Sequence, residues 1–96
     1  MLEELISILE KTKLKISDDS DMVWTGYNGA KELRAEIDLY INQIKGGDLN
    51  GLEELSKYFL PTSTFQEHSI SNGWADEYLR LAEGFDKIYY SLKDKA

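Results

Sequence analysis

From Trp74 onward, apolar residues recur in alternating steps of four and three: Trp74, Tyr78, Leu81, Phe85, Ile88 and Leu92. In an α-helix that spacing lines all six along one stripe, so it predicts a helix over about 74–92 with a broad face turned to a core. Asp76 and Glu77 fall in the first turn, where the helix dipole favours acids, and Asp76–Arg80 and Glu83–Lys87 have the favourable i, i+4 order. Gly84 sits in the middle at a cost of about 1 kcal/mol relative to alanine, which predicts another helix crossing close to it.

The same reading applies upstream. Leu33, Ile37, Tyr40, Ile41 and Ile44 form a helical stripe, with Asn28 placed to cap its start and Gly46-Gly47 to stop it. Leu2, Leu5, Ile6 and Leu9 predict a first helix over 2–13. The alternation Lys13-Leu14-Lys15-Ile16 then reads as a short extended piece, and Ser17 to Asp21 as a polar loop. Leu49, Leu52, Leu55 and Phe59 predict a third helix, capped by Asp48 and ended by Pro61. Its short link to the second predicts antiparallel neighbours. Thr64-x-x-Glu67 and Ser63-x-x-Gln66 have capping-box spacing, so a short helical turn through His68 and Ser69 is expected before Ser71-Asn72-Gly73 breaks it. Met22-Val23-Trp24 and Tyr27, punctuated by Thr25-Gly26 and Asn28-Gly29, have no periodic pattern. They read as an irregular lid over one end of the core.

The expected fold is therefore all-α: a compact bundle of four main helices with one short extra helical turn before the last, in one domain spanning 1–96. Ninety-six residues support one core and no more. An apolar fraction of 42% with 30% charged residues suits a folded chain and not a disordered one. There is no cysteine, so disulfides and thiolate metal sites are excluded. No apolar run reaches membrane-spanning length. The start MLEELISILEKTK carries acids where a secretory leader carries positive charge, and a cytoplasmic protein is expected.

Charge narrows the partners. Eighteen acids face 11 bases, for a net charge of −7 spread evenly along the chain. A field of that sign opposes binding to DNA or RNA and suits a basic protein partner.

Metal and catalytic chemistry find little support. Asp18, Asp19 and Asp21 lack the alternate ligands, sixth-position glycine and twelfth-position glutamate of a calcium loop. His68, the sole histidine, reads as a surface residue in a polar loop, with Glu67 or Asp76 near enough in sequence to orient it as a general base. No phosphate-binding glycine pattern occurs. Neither catalytic residues, a metal nor a cofactor is expected.

Aromatic residues are numerous for so small a core: Trp24, Tyr27, Tyr58, Trp74, Tyr89 and Tyr90 cannot all be buried fully. Tyr90 should point outward if Ile88 and Leu92 face inward. Exposed aromatic rings anchor binding surfaces. The irregular connection before the last helix joins acids, hydrogen-bonding groups and a ring. The expected interaction surface is Trp24, Tyr27, Gln66, Glu67, His68, Trp74, Asp76 and Glu77.

Phe59-Leu60-Pro61-Thr62, Gln66-Glu67-x-Ser69, Gly73-Trp74-x-Asp76-Glu77-Tyr78-Leu79-x-Leu81-Ala82 and Phe85-Asp86, with a weaker echo at Val23-Trp24, resemble a small uncharacterised bacterial protein family with a Pro-Thr, Gln-Glu, Gly-Trp and Phe-Asp pattern. The resemblance covers about the last 40 residues. It implies a bacterial cytoplasmic protein and carries no activity with it. The leading expectation is a small acidic protein–protein interaction module, in one version an inhibitor or immunity-type protein. The alternatives are a ligand-binding protein or enzyme with a pocket around Gln66, Glu67, His68 and Glu77, and a homodimer joined by its aromatic surface.

Overall fold

Five helices follow one another in the computed structural model, which describes residues 2–22, 29–59 and 64–95. They are α1 (Leu2–Lys15), α2 (Ala30–Lys45), α3 (Leu52–Lys57), α4 (Thr64–Asn72) and α5 (Ala75–Lys95). No strand occurs among the described residues. The long α5 is the hub: α1, α3 and α4 all pack against it, and α2 packs against α1.

The α5 stripe has the phase its spacing dictates. Trp74, Tyr78, Phe85 and Ile88 are buried, Leu81 and Leu92 lie partly buried against them, and Tyr90 points outward. Phe85 is sealed completely, its ring stacked on Phe59 at 4.3 Å between centroids. Phe65 meets Phe59 edge-on at 4.9 Å, and the Tyr78 hydroxyl donates to the Phe59 carbonyl at 2.9 Å. The end of α3, the start of α4 and the middle of α5 thus share one aromatic knot. Gly84 behaves as its position predicts. A Cβ there would stand 3.2 Å from Ile8 Cδ1, so the missing side chain lets α1 lie close.

Three expectations about element bounds are corrected. Residues 13–15 continue α1 instead of forming an extended piece. Continuing the helix buries Thr12 and Ile16 beneath Leu5 and Leu9, whereas an isolated strand would have no partner for its backbone groups. The third helix starts at Leu52, not after Asp48. The Asp48 amide donates to the Gln43 carbonyl and the Gly47 amide to that of Ile44, with Gly47 at φ 81°, so Asp48 closes the end of α2. Its carboxylate then accepts from the Asn50 amide in a local turn. With six residues, α3 is the short helix, and α4 with nine is the longer one, the reverse of the expected sizes.

The short α3 also changes its neighbours. Its Leu52 and Leu55 are buried toward the core and it packs on α5. Its link to α2 runs through side chains: Tyr40 meets Tyr58 edge-on, and Gly51 sits where a Cβ would come within 3.1 Å of the Tyr40 ring. Gly29, not Asn28, caps the start of α2, its carbonyl accepting from the Leu33 amide. The expected cap at Ser63, the stop at Pro61 and the Trp24–Tyr27 lid lie outside the described residues.

Phe85→Ala should lower unfolding free energy by about 3–5 kcal/mol, since a sealed ring leaves a large cavity and loses its stack on Phe59. A urea titration measures this directly. A change below about 1 kcal/mol would mean that the knot does not hold the core.

Candidate functional site

The segment singled out by sequence becomes a sharp corner between α4 and α5. Gly73 makes the turn at φ 80°, a conformation that favours glycine. The Trp74 amide donates back to the Ser69 carbonyl at 2.9 Å, and the Trp74 carbonyl accepts the first bond of α5 from Tyr78. Trp74 therefore closes one helix and opens the next.

Its indole points inward. Trp74 is buried, and its Nε1 donates to His68 Nδ1 at 3.0 Å. His68 is fully enclosed, which corrects the expectation of a surface histidine. The reason lies in the phase of α4. Phe65, His68 and Ser69 share the buried face, and continuing the helix to Asn72 carries the imidazole under the corner. Because Nδ1 accepts, the neutral ring keeps its proton on Nε2, and that buried nitrogen has no hydrogen-bond partner among the described residues. Burial pushes the His68 pKa down, and the Asp21 charge opposes this in part.

Asn72 clamps the corner from outside. Its Nδ2 donates to the carbonyls of His68 and Asp21, and its Oδ1 accepts the Asp21 amide at 2.8 Å. So Asn72 ends α4 and ties it to the loop after α1, where the sequence alone marked it only as a breaker.

Around this fixed centre the surface is mixed. A hollow of about 410 Å³ is lined by Ser69, Ile70, Gly73, Trp74, Asp76 and Glu77, among others. Ile70 is 59% exposed beside it. Asp76 is exposed, and Glu77 is exposed while pairing with Lys15 at 2.8 Å. Gln66 is half-buried and lines a different cleft, of about 470 Å³, with Tyr78, Leu79 and Tyr90. Glu67 is half-buried in the first turn of α4. Trp24 and Tyr27 lie outside the described residues. Of the expected surface, then, Asp76 and Glu77 stand together on the outside, while His68 and Trp74 form the buried support beneath them. Gln66, Glu67, His68 and Glu77 do not share one pocket.

Ile70 was missed in the sequence. It would have been found by continuing α4 through Asn72: once Phe65 and Ser69 face inward, residue 70 must face out.

The acidic loop is engaged elsewhere. Arg34 donates to the Ile16 carbonyl at 2.8 Å and pairs with Asp18, closing the end of α1 against α2. Among the described residues, no group of three or more His, Asp or Glu gathers as ligands for a metal. No family model, curated protein or solved structure matches the chain.

Two outcomes follow from this geometry. The unfolded chain, with His68 near its ordinary pKa of about 6.5, takes up a proton more readily than the folded chain. Stability should therefore be full above about pH 6.5 and fall as pH drops toward the lower folded value. His68→Gln keeps an acceptor for the indole and should flatten the loss between about pH 7.5 and 5.5, read from urea midpoints. Equal slopes in both proteins would assign the loss to other groups. Separately, prolonged exposure to a strong chelator should leave the thermal midpoint unchanged; a downward shift would place a cation at Asp18, Asp19 and Asp21.

Proposed function

We propose that the protein is a small acidic protein–protein interaction module that docks a basic partner on its α4–α5 corner. The observation that carries this reading is Ile70, a large exposed aliphatic side chain standing beside Asp76 and Glu77 on a backbone fixed from below and from the side. An apolar anchor surrounded by like charges suits a partner with a small apolar recess and a basic rim: the charges steer the encounter and the anchor slows release. Preorganisation adds to this, because little loop entropy is lost when the corner binds.

The net charge of −7 supports a basic partner, and the inhibitor or immunity-type role is the version in which that partner is an enzyme. No helix among the described residues is long and apolar enough to cross a membrane. The resemblance of the C-terminal pattern supports a bacterial, cytoplasmic setting, and the repulsive field supports the exclusion of nucleic acid from the partners.

The test is affinity capture of the tagged protein from its native lysate, with Ile70→Asp as the comparison. The wild type should retain one stoichiometric basic protein, released by salt. Ile70→Asp, folded by circular dichroism because the site is exposed, should lower recovery at least about tenfold. Equal recovery by the folded variant would remove the corner from the interface.

A further inference from the structure

A second hollow adjoins the corner. It has a volume of about 420 Å³ and is lined by Lys11, Leu14 and Lys15 of α1 and by Glu77, Arg80 and Leu81 of α5. Leu14, on the outer face of α1, is 80% exposed, the most exposed of the large apolar residues described. Three of the chain's 11 basic residues meet here in a protein of net charge −7. Lys15 is paired with Glu77. Among the described residues, Lys11 and Arg80 pair with no carboxylate.

Glu77 lines both hollows, so they are two halves of one surface. One half offers an exposed aliphatic side chain with acids: Ile70 with Asp76. The other offers an exposed aliphatic side chain with unpaired cations: Leu14 with Lys11 and Arg80. An isologous interface requires that a patch complement itself when rotated by 180°, each half meeting the opposite half of its copy. This surface meets that requirement in both charge and apolar character. A foreign acidic segment would satisfy only the basic half.

We propose that this surface pairs with a second copy of the chain about a two-fold axis near Glu77. Ile70 of each copy seats against Leu14 and Leu81 of the other, and Asp76 of each faces Lys11 and Arg80 of the other. The inference rests on the reading of the α4–α5 corner as an interaction face and adds that a second copy of the chain covers that face when no basic partner is bound. A foreign basic partner would then displace the second copy.

Sedimentation equilibrium of the purified full chain tests it. The wild type should show a concentration-dependent monomer–dimer equilibrium. Lys11→Glu with Arg80→Glu should raise the dissociation constant at least about tenfold, and so should Asp76→Lys alone, because each places like charges across the axis. Mixing the two variants should restore a heterodimer, since both contacts then join opposite charges. All three positions are exposed, and circular dichroism checks the fold. Leu14→Ser, which changes no charge, should also weaken the dimer. A wild type that stays monomeric overturns the proposal. So does a dimer indifferent to these changes, or a mixture that associates no better than its components. A monomer that still captures a basic protein through Ile70 removes this inference and leaves the reading of the corner; one that does neither removes both.

Discussion

The stack of Phe59 on Phe85 is the contact on which the other packing depends. Phe59 closes the chain segment that follows α3, and Phe85 lies at the centre of α5, which packs against α1, α3 and α4. From that pair, aromatic contacts run outward to Phe65 and Tyr58 on one side, to Tyr78 and Trp74 on another and to Tyr89 on a third. Each contact beyond simple burial is worth about 0.5–1.5 kcal/mol, so the network's value lies as much in orientation as in energy. Flat rings leave few ways to pack, and the short α3 and α4 have few other residues with which to fix their angle to α5.

Ion pairs align α1 with its neighbours but do not hold it. Lys13 reaches Asp38 of α2 at 2.7 Å, and Lys15 reaches Glu77 of α5. The hydrogen bond from Lys13 to Asp38 raises the lysine pKa, the direction expected when the charged form is favoured. Both pairs remain in contact with water, where such bridges are worth at most about 1 kcal/mol. Burial of Leu5, Leu9 and Ile16 outweighs them, at roughly 1.5–3 kcal/mol for each side chain. The buried stripe of Leu5, Leu9, Thr12 and Ile16 fixes the rotation of α1, and the charges agree with it. In that rotation Lys13 lies toward α2 and Lys15 toward α5, and Leu14 between them faces out.

The fold was legible wherever a periodic stripe ran over several turns. α2 and α5 declared their inward faces at Leu33–Ile44 and Trp74–Leu92, and Gly84 announced the close crossing of α1. The all-α class followed from these. What could not be read locally was any boundary decided by contacts distant in the chain. Lys13 to Ile16 alternates like a strand, yet Arg34, 18 residues away, satisfies the Ile16 carbonyl and lets α1 end there. Ser71-Asn72 looks like a breaker, yet Asn72 is held in helix by Asp21, 51 residues away. The site suffered from the same cause. Asp76 and Glu77 were found because they open the last helix beside the irregular connection, and both lie off the apolar stripe that starts at Trp74. Ile70 and Leu14 were hidden because their exposure depends on helices longer than local signals supported.

His68 shows how the corner trades stability for position. Without the imidazole, the Trp74 indole N–H would be a buried donor with no acceptor, at a cost of about 1–3 kcal/mol. With it, that donor is satisfied, but the proton forced onto Nε2 meets no partner among the described residues, at a similar cost. One orphan replaces another, so the pair adds little net stability, and two apolar side chains of the same volume would carry neither penalty. What the hydrogen bond adds is direction. It fixes the indole plane, the indole fixes the backbone on which Gly73 turns, and that backbone sets where Ile70, Asp76 and Glu77 stand relative to one another. Below the corner, polar groups are enclosed where apolar ones would be more stable. Above it, an isoleucine is exposed where a polar residue would be more soluble. The two departures from ordinary burial lie on opposite sides of the same turn, and both are accounted for if the geometry of that surface matters more to this protein than the stability it gives up.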